Sequence, residues 1–323
     1  MSFLKLLSGA AIALSVSAAA VQAETWDMAT PYPDATFHTQ NITQFAADVT
    51  KATDGALEIN VHSAGSLFKH PEISKAVRSG QVPAGEFFLS LLNNDNPAFG
   101  VDSLPFLATN YDDAERLWAA QRPVVEELLD AQGLMVLYAV PWPPQGLYTT
   151  KAISTVGDLA GLKFRTYNST LETFATMVGA APTQIEVPDI AQAFSTGRVE
   201  AMITSPSTGV NSQAWDFLSN YTDIQAWIPK NIVVVNKRAF MRLNEATQQA
   251  VMKAAAEAEA RGWAMSRAET DTQTAALAAN GIDVQKPSEE LMNGLRAIGA
   301  KMLADWTTAS GEKGAAILDA YTQ

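Results

Sequence analysis

The sequence predicts a two-lobed α/β protein, and three observations carry that prediction. A strand–helix–strand rhythm runs through the first part of the chain and starts again near residue 134. Trp142-Pro143-Pro144-Gln145-Gly146, with Pro141 before it, forms a stiff joint between the two regions. Beyond residue 244 lies a helical run too long for one lobe.

The elements follow in order. Thr25–Thr30 is strand-like and ends at Pro31 and Pro33. Ile42, Phe45, Ala46 and Val49 recur at helical spacing, and Thr53-Asp54-Gly55 closes that helix. Leu57, Ile59 and Val61 alternate with polar residues as a second strand. A helix from about Pro71 to Ser79 stops at Gly80. After the joint's leading strand, Leu134–Val140, strands are expected at Leu162–Arg165, Val199–Ile203 and Ile232–Asn236. Helices are expected at Ser169–Val178 and Ile190–Ser195, ended by Gly179 and Gly197. From Glu245 to Ala279 only Gly262 interrupts a helix, with Asn244 suited to cap it and Gly281 to stop it. At about 1.5 Å per residue it spans roughly 50 Å, enough to lie across both lobes. A last helix is expected from Ser288 to about Trp306.

Composition narrows the classes of function. The 323 residues are 47% hydrophobic, enough for two substantial cores. A net charge of −12 and a pI near 4.7 argue against nucleic acid or anionic membrane surfaces as partners. The first 23 residues read as a secretory signal peptide: Lys5, the run LLSGAAIALSVSAAA, and a small-x-small site at Val21-Gln22-Ala23. Its removal takes away one lysine and no acid, so the charge becomes −13, with Glu24 first in the mature chain. The absence of cysteine leaves an exported chain stabilised by core size alone and excludes thiol catalysis. Together these features suit the bacterial periplasm. The sequons at Asn41, Asn168 and Asn220 are then chance matches.

The inventory for catalysis is thin. His38, His62 and His70 have no metal-ligand spacing. No nucleophile elbow, dinucleotide fingerprint or phosphate loop occurs. Neither metal nor cofactor is expected. Asp112-Asp113 and Glu126-Glu127 read as solvated helix faces. Arg165 is different: it closes an apolar strand, GLKFR, just before Asn168. A guanidinium there offers a planar fork that matches a carboxylate, in the crevice where α/β folds bind ligands. From pattern alone, a surface arginine with a local ion pair remains equally open.

Three segments add a family resemblance. DLAGLKFRTYN at 158–168, VGAAPTQIEVPDIAQAFSTGRVEAM at 178–202 and GSLFKHPEISKAVRSGQV at 65–82 occur in order and at the right spacing. Together they resemble the extracytoplasmic solute receptors of TRAP transporters (tripartite ATP-independent periplasmic transporters), along nearly the whole mature chain. The resemblance implies a clamshell periplasmic binding protein with a long helix across both lobes. It implies lobe I from 24–143 plus about 233–272, and lobe II from 144–232 plus about 273–323. The implied function is capture of a small organic carboxylate, a monocarboxylate with an aromatic or 2-oxo/hydroxy body, for delivery to TRAP membrane subunits.

The resemblance also implies site residues. Arg165 matches the arginine that holds the ligand carboxylate, and Asn168 its supporting donor. Gln145 stands where acid-binding relatives carry a second arginine, and Thr204 where the family commonly has asparagine; both departures weaken the case for a dicarboxylate. Phe37, Phe87 and Trp215 match pocket-lining positions, with His70 at the pocket edge, Trp142 near the hinge and Tyr148 near the ligand mouth. A monomer is expected, with a dimer open. Two rivals stand beside this reading: an ABC-importer binding protein, and a periplasmic enzyme using Glu86, Asp189 or His70 as a base on a carboxylate.

Overall fold

A computed structural model describes residues 23–323; the expected signal peptide lies outside the described residues except for Ala23. The chain order is β1 (Glu24–Ala29), α1 (Phe37–Ala52), β2 (Leu57–His62), α2 (His70–Ser79), β3 (Ala84–Phe88), α3 (Tyr111–Asp130) and β4 (Leu134–Pro141). It continues with β5 (Gly146–Thr149), β6 (Lys163–Thr166), α4 (Ser169–Met177), β7 (Ala181–Gln184), α5 (Ile190–Ser195), β8 (Ala201–Thr204), α6 (Pro206–Asn211) and β9 (Asn220–Thr222). β10 (Lys230–Asn236), α7 (Lys237–Arg242), α8 (Glu245–Ala279), β11 (Asp283–Gln285) and α9 (Glu289–Thr322) complete it.

The strands form two sheets, one per lobe. The first has the order β2-β1-β3-β10-β4, and the second β11-β9-β5-β8-β6-β7. β10 returns from the second region to lie antiparallel between β3 and β4, so the first sheet is completed by chain that has already built most of the second. Each sheet is covered on both faces. One face of the first packs α1 and α8 through Ile42, Phe45, Val49 and Ala258, and the other packs α2 and α3 through Ile73, Val77, Trp118 and Val125. The periodic apolar positions of α1 are all buried there, as their spacing predicts.

α8 runs 35 residues without a break. Its Asn244 cap accepts from the Thr247 N–H at 2.9 Å. The first half is fastened to the first lobe: Asn41 Nδ2 donates to the Ala258 carbonyl at 2.9 Å, and Arg261 pairs with Asp48 at 3.1 Å. The second half packs on α6 and β11, and Leu277 enters a core built by the second sheet. One helix therefore belongs to both lobes.

Three differences from the sequence expectations have physical reasons. α3 joins the helix faces at 112–113 and 126–127 into one element that runs through Pro123, although proline ordinarily breaks a helix. β3 hides because its middle residue, Glu86, is charged yet buried. α9 continues past Trp306 to Thr322, re-aimed at Gly311 (φ 58°, ψ −144°), a backbone conformation that favours glycine. Trp306, Ile317 and Tyr321 consequently lie against α3 and the 97–108 segment. The tail of the chain, expected with lobe II, packs on a lobe I helix.

Candidate functional site

A cleft lies between the lobes at the end of the connector, lined from both sides by buried and half-buried side chains. Tyr32, His70 and Phe88 reach it from the first lobe; Arg165, Tyr167, Glu186 and Thr204 reach it from the second; Trp142 and Gln145 belong to the joint itself.

Arg165 is placed by its strand. β6 lies between β7 and β8, with Arg165 opposite Thr183 and Met202 at the end of the pairing with β8. Its residue is 1% exposed. Nε donates to the Ile185 carbonyl at 2.9 Å, and the guanidinium carbon sits 4.9 Å from the centre of the Tyr167 ring. Among the described residues the two terminal nitrogens have no hydrogen-bond or ion-pair partner. Burial pulls the Arg165 pKa below its ordinary value, only partly opposed by Tyr167, Glu186 and Tyr32. A desolvated cation facing a cavity is a site for an anion.

The aromatic walls are held by a buried network. Tyr32 and Trp142 meet edge to face at 5.0 Å. Trp142 Nε1 donates to Asn231 Oδ1 at 2.9 Å, and the Tyr32 hydroxyl donates to the same oxygen at 3.3 Å. Asn231 in turn donates to Glu86 at 2.8 Å, and Thr30 donates to the other Glu86 oxygen at 2.6 Å. His38 Nδ1 lies 3.2 Å from Glu86, without the alignment of a hydrogen bond. Burial pushes the Glu86 pKa up, but His38, Thr30 and Asn231 outweigh it and leave the carboxyl below its ordinary range. Glu86 thus does not face the cavity; through Asn231 it fixes two of its walls.

The second lobe supplies the polar lining. The Tyr167 hydroxyl donates to Gln145 Oε1 at 3.3 Å, and Gln145 Nε2 is held by the Pro143 carbonyl at 2.8 Å. The Trp227 indole donates to the Tyr167 oxygen at 3.2 Å. Ser205 caps α6 and its hydroxyl donates to Thr208 at 3.1 Å. Thr204 lies at the wall, and its hydroxyl has no protein hydrogen-bond partner among the described residues.

His70 and Glu186 close one side. The Phe88 N–H donates to His70 Nε2 at 3.0 Å, so the network assigns the ring proton to Nδ1, which faces Glu186 at 3.3 Å. Burial raises the Glu186 pKa; the hydrogen bond from His70, with Gln184 and Arg165, brings it below the ordinary value. The lobes also touch where Asn168 Nδ2 donates to Ser90 at 2.7 Å and Asn93 Nδ2 donates to Ser169 at 3.2 Å. The clamshell is closed.

Of the residues expected at the site, the cavity gathers Arg165, Gln145, Thr204 and His70, with Trp142. Asn168 lies outside it: its oxygen caps α4 at the Leu171 N–H (2.8 Å), and its amide is committed to Ser90. Phe87 lines an adjoining interlobe groove, because alternation along β3 turns its neighbour Phe88 into the cavity instead. Phe37 supports Trp142 from behind, with ring centres 5.5 Å apart. Trp215 packs beside Leu218 and Tyr221 in the second lobe's core. Tyr148 is wholly buried and donates to the Ser205 carbonyl at 3.1 Å. Tyr32, Phe88, Tyr167 and Glu186 were not expected. Tyr167 sits inside the quoted 158–168 segment and Glu186 inside 178–202, so both were adjacent to the signal.

Comparison with known proteins matches residues 28–308 to the model for bacterial extracellular solute-binding protein, family 7. A solute-binding protein of Chromohalobacter salexigens is 26% identical over 77% of the chain and 75% of its own length. The crystal structure of a Bordetella pertussis extracytoplasmic solute receptor binding pyroglutamic acid is 47% identical, with a TM-score of 0.92 over 93% of this chain and all of that one. A marine metagenome TRAP solute-binding protein specific for pyroglutamate is 42% identical, with a TM-score of 0.91 over 93% and 99% of the two chains.

Proposed function

From the premise that the chain belongs to the family 7 bacterial extracellular solute-binding proteins, we propose that it is a TRAP receptor that captures pyroglutamate. Arg165 holds the carboxylate, Tyr32, Phe88, Trp142 and Tyr167 enclose the lactam ring, and Thr204 with Thr208 faces the ring's carbonyl. The single observation that carries this is the buried guanidinium whose terminal nitrogens find no acceptor among the described residues. A ligand carboxylate supplies what they lack, and the relatives that bind pyroglutamate are over 40% identical.

The protein is a receptor, not an enzyme, in keeping with its family; the rivals of an enzyme and an ABC-importer subunit fall with that membership. It works outside the cytoplasm, with cleavage after Ala23 as the proposed start of the mature chain. Lobe I, 24–143 plus about 233–272, and lobe II, 144–232 plus about 273–305, close on the ligand, with the stretch from Trp306 onward seated on lobe I. The closed form then docks on the membrane subunits. Ligand shifts an open–closed equilibrium by its preference for the closed state.

Thermal unfolding of residues 24–323 against L-pyroglutamate, its amide and a panel of other organic acids tests the proposal. At a hundred times its dissociation constant, pyroglutamate stabilises by about 2.7 kcal/mol, a shift of several degrees. The amide has no carboxylate and should give no shift at the same concentration. If pyroglutamate leaves the midpoint unmoved, the assignment is wrong; if no organic acid moves it, so is the carboxylate reading.

A further inference from the structure

We propose that Glu186 sets the specificity of this site by accepting a hydrogen bond from the ring N–H of the ligand whose carboxylate Arg165 holds. The inference rests on the pyroglutamate reading and deepens it. Arg165 and Glu186 are tied to one stretch of backbone, because the Arg165 Nε bond ends on the carbonyl of Ile185, the residue just before Glu186. Both side chains face the same cavity, yet they do not pair with one another. Glu186 instead takes a donor from each flank. His70 Nδ1 lies 3.3 Å from Oε2, and Gln184 Nε2 donates to Oε1 at 3.3 Å. His70, on the opposite lobe from Glu186, is itself fixed by the Phe88 N–H of its own lobe.

A carboxylate offers about four lone-pair sites, so two donors leave Glu186 with acceptor capacity toward the cavity. The arrangement presents a fixed cation and a fixed anionic acceptor a short way apart. A carboxylate with an N–H on the next ring atom answers both groups at once. A ligand of the same shape lacking the N–H covers the free acceptor position of a half-buried carboxylate without satisfying it, which costs affinity. A ligand with a second carboxylate at that position meets like charge. The positions held by Gln145 and Thr204 carry no cation to receive it.

The test is isothermal titration with L-pyroglutamate and with 3-oxocyclopentane-1-carboxylate, in which a methylene replaces the ring N–H. The wild-type protein should bind the lactam at least about tenfold more tightly, the margin expected for a hydrogen bond to a charged group. In Glu186→Ala the preference should shrink to within about threefold, by loss of lactam affinity. Equal binding of the two compounds by the wild-type protein overturns the inference while leaving the pyroglutamate reading intact. A preference that survives in Glu186→Ala also overturns it. Failure of both compounds to bind removes the reading beneath it as well. The wild-type comparison needs no variant to fold.

Discussion

Arg165 carries a burial cost that an anion in the cleft would offset. Its burial and depressed pKa mean that its charge opposes folding until an anion arrives. Arg165→Met keeps the stem and removes the charge. Its unfolding midpoint without ligand should not fall, while pyroglutamate binding by calorimetry should weaken by about 2–5 kcal/mol, thirtyfold or more. A drop in the empty protein's midpoint would mark Arg165 as structural. Glu86 behaves in the opposite sense. Its folded pKa lies below the ordinary 4.5, so its contribution is present above that value and lost as pH falls through the folded pKa. Glu86→Gln should therefore be less stable than wild type at neutral pH, and the gap should close in acid. Denaturant titrations at pH 7 and pH 3 read this directly; a gap that widens in acid contradicts it.

At the scale of elements, α8 depends on a missing side chain. A Cβ at Gly262 would sit 2.4 Å from Val140 and 2.8 Å from the Asn41 amide that donates to Ala258. Alanine gains about 1 kcal/mol in helix propensity, but overpacking a tight interface costs about 1–3 kcal/mol. Gly262→Ala should be destabilised on balance, with a midpoint lower by a few degrees in a melting experiment. The long helix was legible because thirty-five residues contain one breaker and clear caps, and α1 because its apolar period is regular. Arg165 was legible because a charge at the mouth of an apolar strand contradicts local patterning. The rest depended on contacts the sequence does not display. β9 and β11 are three residues each and exist only as partners to one another and to β5. Phe88 and Phe87 are chemically identical, and only the pleat decides which lines the central cleft. Asn168 had a local use as an N-cap that competes with any role toward ligand.

For the molecule as a whole, closure rests on few contacts at the cleft's rim. Asn168 to Ser90 and Asn93 to Ser169 join the lobes without touching the central cavity. Ser90→Ala should lower ligand affinity several-fold by favouring the open state, with the unliganded midpoint nearly unchanged. Scattering from the ligand-free variant should show a larger radius than wild type if the wild type samples the closed form; identical affinity in both would remove these contacts from the closing equilibrium.

The docking of the chain's last helical stretch on α3 also dictates an order of assembly. Trp306 donates to the Pro97 carbonyl at 2.8 Å, and the Tyr321 hydroxyl reaches the Leu107 carbonyl at 3.0 Å. The surface they cover is built from residues synthesised some two hundred positions earlier. That surface stays bare until the C-terminus emerges, and the first sheet likewise waits for β10. Such distant pairings fold slowly. The first lobe is therefore a composite, closed at one end by a stretch from Trp306 to Tyr321 that lies far from its other parts in the sequence.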